Sequence, residues 1–240
     1  MKPLLLPVYG VWCWVVFTTL SLTATLGMAI VPTLHQRRRV IHWTARSILR
    51  MVACPVVVEG IEELPDGPCV VVANHASYVD GIVMQAALPP RFAFMVKREM
   101  ASVPLAAFLL RRVGTEFVDR RDPKGGANDA RRVQRTASTG QSIAAFPEGT
   151  FTEKPGVGRF LGGAFAAAAK AGLPIVPAAI NGTREMLPAD RWLPRPARIH
   201  VRLLTVIPAP ASADRAAVHG LRNAAHAAVV AHVNEPLLET

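Results

Sequence analysis

The chain is short of acidic side chains, aromatic rings and cysteine, and each shortage narrows what it can be. Its 17 Asp and Glu are outnumbered by 27 Lys and Arg, giving a formal charge of +10 and a pI near 10.5. Such a surplus draws polyanions, whether nucleic acid, an anionic lipid surface or a phosphorylated substrate. Aromatic residues make up 6% and no basic helix carries base-reading side chains in a docking motif, so no nucleic-acid partner is expected. Cysteine is limited to Cys13, Cys54 and Cys69, an odd number without metal-ligand spacing. Cys13 lies in an apolar segment and Cys69 opens an apolar run. Both read as small core hydrophobes of a cytosol-facing domain, and no disulfide framework is implied. The sequence also has no G-x-S-x-G nucleophile elbow.

What the chain has in excess is apolar character, with a mean hydropathy of +0.28, high for a soluble protein. At 240 residues it suits one compact domain plus an appendage. The appendage is at the start. Gly10 to Val31 carries no charge and is bracketed by Pro7 and Pro32. As a helix rising ~1.5 Å per residue it would be roughly 33 Å long, enough to cross a hydrocarbon core. Thr18, Thr19, Ser21, Thr23 and Thr25 dilute the apolar run, so a half-inserted anchor fits as well as a full span. The run is too long, and its leading charge (Lys2 alone) too weak, for a cleaved signal peptide. Arg37-Arg38-Arg39 follows as a basic stop, which places the rest of the chain on the cytoplasmic face of the inner membrane. Val40 to Ala53 then has helical periodicity. Ile41, Ala45, Ile48 and Val52 share one face and His42, Arg46 and Arg50 another. That pattern fits an interfacial helix on anionic lipid, or an ordinary helix with a solvated basic face. Residues 1–54 are therefore read as membrane anchor and interfacial helix, and 55–240 as the main domain.

From Pro55 onward apolar β-branched runs alternate with helical patterns. Strands are predicted at Val56–Glu59, Cys69–Ala73, Phe92–Val96, Thr115–Val118, Ser142–Phe146, Ile175–Ile180 and Ile199–Leu204. Helices are predicted at Tyr78–Leu88, Glu99–Arg112, Ala127–Thr139, Gly163–Ala171 and Ala213–Asn234. This alternation predicts an α/β fold, a mostly parallel central sheet with helices on both faces.

The most informative stretch is Val70 to Asp80, a buried strand running through Asn74, His75 and Ser77 into a helix. Side chains at such a strand end sit on a rigid scaffold beside an open crevice. Asp80 is expected about one turn into that helix, its carboxylate able to reach back to His75, which makes a carboxylate-aligned general base. The same residues also fit a plain helix cap, and Ser77 reads as local capping. With no second His or Cys at ligand spacing, no metal site is expected. Three later stretches return to the same sheet edge. Gly114 to Arg120 closes a strand with a charged pair, and Arg120 reads either as a surface residue or as a grip on a phosphate or carboxylate. Phe146-Pro147-Glu148-Gly149-Thr150 is a rigid turn presenting one acid. Leu173 to Ala178 is an apolar strand flanked by Pro174 and Pro177, expected at an edge or a bend.

In this order the four stretches resemble the glycerolipid acyltransferase family, typified by 1-acylglycerol-3-phosphate acyltransferases. N-H-x-x-x-x-D matches Asn74, His75 and Asp80. Glycine then F-x-x-R matches Gly114, Phe117 and Arg120. F-P-E-G-T matches Phe146 to Thr150, and the proline-flanked strand matches Pro174 to Pro177. The resemblance covers about Val56 to Thr183. It implies that His75 and Asp80 are catalytic and that Arg120, Glu148, Gly149, Thr150 and Asn74 bind substrate. It implies no cofactor, with acyl-CoA or acyl carrier protein as the thioester co-substrate. The expected product is phosphatidic acid, from acyl transfer to the free hydroxyl of 1-acylglycerol-3-phosphate. Lysophosphatidylethanolamine or lyso-ornithine lipid as acceptor, a membrane-bound hydrolase, or a non-catalytic lipid-binding module remain as alternatives. One departure bears on the acceptor. Many members continue F-P-E-G-T with Arg, where this chain has Phe151, and Arg159 is the nearest cation before Phe160. Phosphate recognition then falls to Arg120 with Lys97 or Arg98.

Overall fold

The computed structural model describes residues 5–118 and 125–238. In chain order the elements are α1 (Leu5–Ile30), α2 (Leu34–Met51), β1 (Val56–Glu59), β2 (Val70–Ala73), α3 (Asp80–Ala87), β3 (Phe92–Lys97), α4 (Pro104–Arg112), β4 (Glu116–Val118), α5 (Gly125–Ser138), β5 (Ser142–Ala145), α6 (Gly163–Ala171), β6 (Ile175–Asn181), α7 (Thr183–Met186), β7 (Ile199–Leu203) and α8 (Arg215–Val230). The strands form one sheet in the order β1-β7-β6-β2-β5-β3-β4, parallel throughout except for the antiparallel pair β6–β7. The α/β architecture expected from the sequence is thus present.

Continuous apolar runs make the central strands. Every residue of β2 and β5 is buried, because helices cover both faces. On one face Val71, Ala73, Ala144 and Val176 pack with Val83, Met84 and Ala87 of α3, with Ala45, Ile48 and Leu49 of α2, and with Cys13 and Val16 of α1. On the other, Val70, Val72, Ile143 and Ile175 pack with Phe165 and Ala168 of α6 and Leu221 and Ala225 of α8. The period-two alternation of strand side chains produces the two cores. It also locates the site. β2 and β5 are neighbours, yet α3 after β2 covers one face and α6 after β5 covers the other. Chains leaving adjacent strands in opposite directions open a crevice at the strand ends.

Several expectations are corrected. The helix expected over Glu99–Arg112 is divided into a 3-10 turn at Arg98–Ser102 and α4. Pro104 cannot donate to a preceding turn and stands in the first turn of α4, where no donor is required. Pro177 is at neither an edge nor a chain bend but inside the buried strand β6, opposite Val72. Its missing N–H is accommodated because the β6–β7 ladder shifts register there, from Ile175↔Ile207 to Ala178↔Leu203. Arg38, expected as part of a basic stop, is 3% exposed. Its Nε donates to Val113 O at 2.9 Å and its Nη1 to Arg91 O at 3.2 Å, and burial lowers its pKa to about 10. His42 likewise turns inward, Nδ1 lying 3.0 Å from Gln85 O of α3.

α1 is, among the described residues, the helix long and apolar enough to cross a membrane. It is seated on the domain. Tyr9 Oη donates to Val52 O at 2.7 Å and Trp14 Nε1 to Trp192 O at 3.0 Å. Its other side leaves Val8, Val11, Trp12, Val15, Leu22, Leu26 and Ile30 exposed.

Candidate active site

The end of β2 is pinned by Asn74. Its Nδ2 donates to Ile180 O at 2.9 Å and its Oδ1 accepts from Ile180 N at 2.8 Å, so a side chain continues the sheet where the backbone turns away. Asn74 is buried and reaches into β6, away from the crevice. His75 is the next residue. Asp80, fully buried at the start of α3, directs Oδ2 to His75 Nδ1 at 2.8 Å. The same oxygen accepts from Ala76 N at 2.7 Å and Ser77 N at 2.9 Å. These donors fix the orientation of that oxygen toward the His75 ring. A carboxylate oxygen can only accept, so Nδ1 carries the ring proton and Nε2 keeps its lone pair. Among the described residues Nε2 has no partner. Ser77 caps locally, accepting from Val79 N at 3.2 Å, and also donates to Leu187 O at 2.5 Å.

The loop after β5 brings the second half of the site. Phe146 stacks on the His75 ring at 4.5 Å and 19°. Phe151 meets the same ring edge-on at 4.7 Å and touches Tyr78 at 4.7 Å. Glu148, between the two phenylalanines in sequence, does not present a free carboxylate. Its Oε1 accepts from His75 N at 2.6 Å and its Oε2 from Gly158 N at 2.6 Å. Burial raises its pKa to about 7, the two N–H donors opposing the rise and the Asp80 and Glu235 carboxylates adding to it. A Cβ at position 158 would lie 2.9 Å from Glu148 Oε2, so a side chain there would push the carboxylate aside. Gly149 is buried, with φ +84°, and donates to Phe146 O at 3.1 Å. Thr150 is exposed, its hydroxyl 3.4 Å from Phe151 O.

The fold therefore brings His75, Asp80 and Glu148 together at the end of β2, with Gly149 and Thr150 next to Glu148 in the same turn. Arg120 lies outside the described residues, and Lys97 and Arg159 are exposed. The sequence reading did not single out the aromatic wall of Phe146, Phe151 and Tyr78, nor the Gly158 amide. The aromatics flanking His75 and the F-P-E-G-T turn were the available signal for the wall. Nothing local marks Gly158. A narrow apolar cavity of about 150 Å³ adjoins Tyr78 and runs between α1, α2 and α3, lined by Phe17, Leu49, Val79, Ile82 and Leu187 among others. Among the described residues no three His, Cys, Asp or Glu side chains converge as metal ligands.

Residues 55–181 match the model of the Acyltransferase family, and the chain belongs to that family. This bears out the resemblance carried by the four sequence blocks. The chain is 34% identical over 133 residues to the chloroplastic 1-acyl-sn-glycerol-3-phosphate acyltransferase BAT2 of Brassica napus, covering 55% of this chain and 38% of that protein. It is 35% identical over 156 residues to the lyso-ornithine lipid O-acyltransferase of Pseudomonas aeruginosa, covering 63% and 57% respectively. The chain thus spans less than two thirds of the length of these relatives. Its fold is similar to the crystal structure of the 1-acyl-sn-glycerophosphate acyltransferase PlsC from Thermotoga maritima, with a TM-score of 0.74 over 95% of this chain and 97% of that one at 20% identity.

Proposed function

We propose that the protein transfers a fatty acyl group from a thioester donor, acyl-CoA or acyl carrier protein, to the free hydroxyl of 1-acylglycerol-3-phosphate, forming phosphatidic acid. The observation that carries this reading is the 2.8 Å contact between Asp80 Oδ2 and His75 Nδ1, which leaves Nε2 able to accept a proton in the crevice. An alcohol attacks a thioester poorly because its proton is held far above neutral pH. His75 Nε2 removes that proton as the oxygen attacks, and Asp80 stabilises the imidazolium that forms. The thiolate is a good leaving group, so no covalent acyl-enzyme and no metal or other cofactor is invoked.

The tetrahedral intermediate needs N–H donors. Gly149 N–H is committed to Phe146 O, so the Thr150 amide is assigned as the donor of that turn. Glu148 is given a positioning role, bonding the backbone of His75 rather than substrate, and Asn74 fixes the strand end. Arg120 is assigned to the acceptor phosphate. Residues 1–54 would seat the catalytic domain, 55–240, on the cytoplasmic face of the inner membrane. The exposed apolar side of α1 and the neighbouring Arg37 and Arg39 support that placement, with anionic lipid as partner.

A second acceptor is favoured by one contact. Phe151, an aromatic ring rather than a cation, lies against His75, and such a wall suits an amine-bearing lysolipid such as lyso-ornithine lipid or lysophosphatidylethanolamine. The deciding experiment measures thiol release from one acyl-CoA with each of these lysolipids and with none. Preference for 1-acylglycerol-3-phosphate supports the first reading, and preference for an amine-bearing acceptor replaces it. Equal release without any acceptor would mean hydrolysis, and lipid binding without release a non-catalytic module.

A further inference from the structure

The loop that carries Glu148 and Phe151 to His75 is held from two sides. Its base is closed by Leu161 N–H donating to Pro147 O at 2.8 Å. Its outer limb is held by residues far along the chain. Glu235 Oε2 accepts from Gly156 N at 2.8 Å, and Oε1 accepts from Arg184 Nε at 2.8 Å. Arg184 Nη1 in turn donates to Thr152 O at 2.7 Å. Val157 N donates to Pro236 O at 2.9 Å and Leu238 N to Val157 O at 3.0 Å, so Leu237 runs parallel beside Val157. Asn181, at the end of β6, anchors the start of this segment. It donates to His232 O at 3.0 Å and accepts from Asn234 N at 2.7 Å. Gly156 admits the approach, because at φ +144° a Cβ would lie 2.7 Å from Leu238 Cγ and 2.9 Å from Pro236 O.

We propose that the segment Asn234–Leu238 is a strap that positions the active-site loop, with Glu235 and Arg184 as positioning residues for the reaction at His75. The proposal rests on the acyltransferase reading of His75. The connection is short. Glu235 fixes the Gly156 amide, and two residues on the Gly158 amide fixes Glu148, whose other oxygen fixes the backbone N–H of His75. His226 Nε2, 3.1 Å from Gly158 O, holds the next peptide unit from α8. The Arg184 and Glu235 side chains are 12% and 19% exposed, so their charge-assisted bonds are shielded from the water that weakens surface pairs. Release of the strap frees the limb between Thr152 and Gly158 and loosens Glu148 and Phe151 at once. A displacement of about 1 Å at reacting groups can lower turnover as much as a hundredfold, so binding and turnover should respond differently.

The test compares the 240-residue chain with Glu235→Gln, with Arg184→Met and with a chain ending at Val233, all in the same lipid or detergent. Turnover of the wild type on an acyl-CoA and a lysolipid is measured first, and its absence would count against the acyltransferase reading alone. Amide hydrogen exchange at Gly156 and Gly158 needs no turnover and reads the strap directly. The expected result is faster exchange at both amides, kcat per folded molecule lower by about ten- to a hundredfold, and KM for the thioester within about threefold. An Arg184→Met, Glu235→Gln double variant should be no worse than the poorer single one. Unchanged exchange in the shortened chain would overturn the strap. Faster exchange with wild-type kcat would overturn its role in positioning.

Discussion

Glu148→Gln separates the two forces acting on the buried carboxyl beside His75. Burial lifts its pKa from 4.5 to about 7 although both oxygens accept N–H donors. Below pH 4.5 the group is protonated in both folded and unfolded chains and folding is indifferent to it. As pH rises from there to about 7, the unfolded chain gives up its proton first, so the fold loses stability. The full loss, about 3 kcal/mol, is in place above pH 7. Glutamine does not titrate, but its NH2 must face one of the two N–H donors, at a cost of about 1–2 kcal/mol at every pH. The wild type should therefore melt higher than Glu148→Gln at about pH 5, and the order should reverse at about pH 8.5. For a domain of this size the gap between the two melting temperatures should change by roughly 5–10 °C over that range. Asp80 and Glu235, the carboxylates that also act on Glu148, are common to both proteins and largely cancel in the comparison. The assay is thermal unfolding of both proteins in one detergent across pH. A gap that stays constant with pH would refute the reasoning.

Asp80→Asn removes the charge that holds the His75 proton on Nδ1, and kcat should fall by about 10²–10⁴ with KM little changed, read by steady-state thiol release. A kcat within about threefold of wild type would contradict that role. Arg38→Ala strips the buried donor from Val113 O and Arg91 O. Stability should drop by about 3 kcal/mol, seen as a lower melting temperature, while kcat per folded molecule stays near wild type.

Much of the fold was legible because buried strands announce themselves locally. The sequence predicts Val56–Glu59 with its observed limits and the other strands to within a residue or so, since apolar β-branched runs between turns have few other uses. Strand order was not legible, nor was the antiparallel β6–β7 pair, because pairing joins residues far apart in the chain. Pro177 misled for the same reason, since only the ladder shift beside it explains a proline in a central strand. Arg38 was hidden among three consecutive arginines, and only the carbonyls it meets across the fold distinguish it. At the site, the spacing of His75 and Asp80 was informative because one helix start brings them together. Glu148 was visible as an acid in a rigid turn. Its partner at Gly158, and behind that Glu235, come from segments that sequence patterns do not connect.

The central claim is that the imidazole of His75 takes the acceptor's proton. The most direct measurement is lysolipid-dependent thiol release by His75→Ala beside the wild type, with membrane attachment and melting temperature followed in parallel. The account predicts release lowered by about 10²–10⁴ with attachment and folding intact. Release near the wild-type rate from a folded, membrane-attached His75→Ala protein would contradict it.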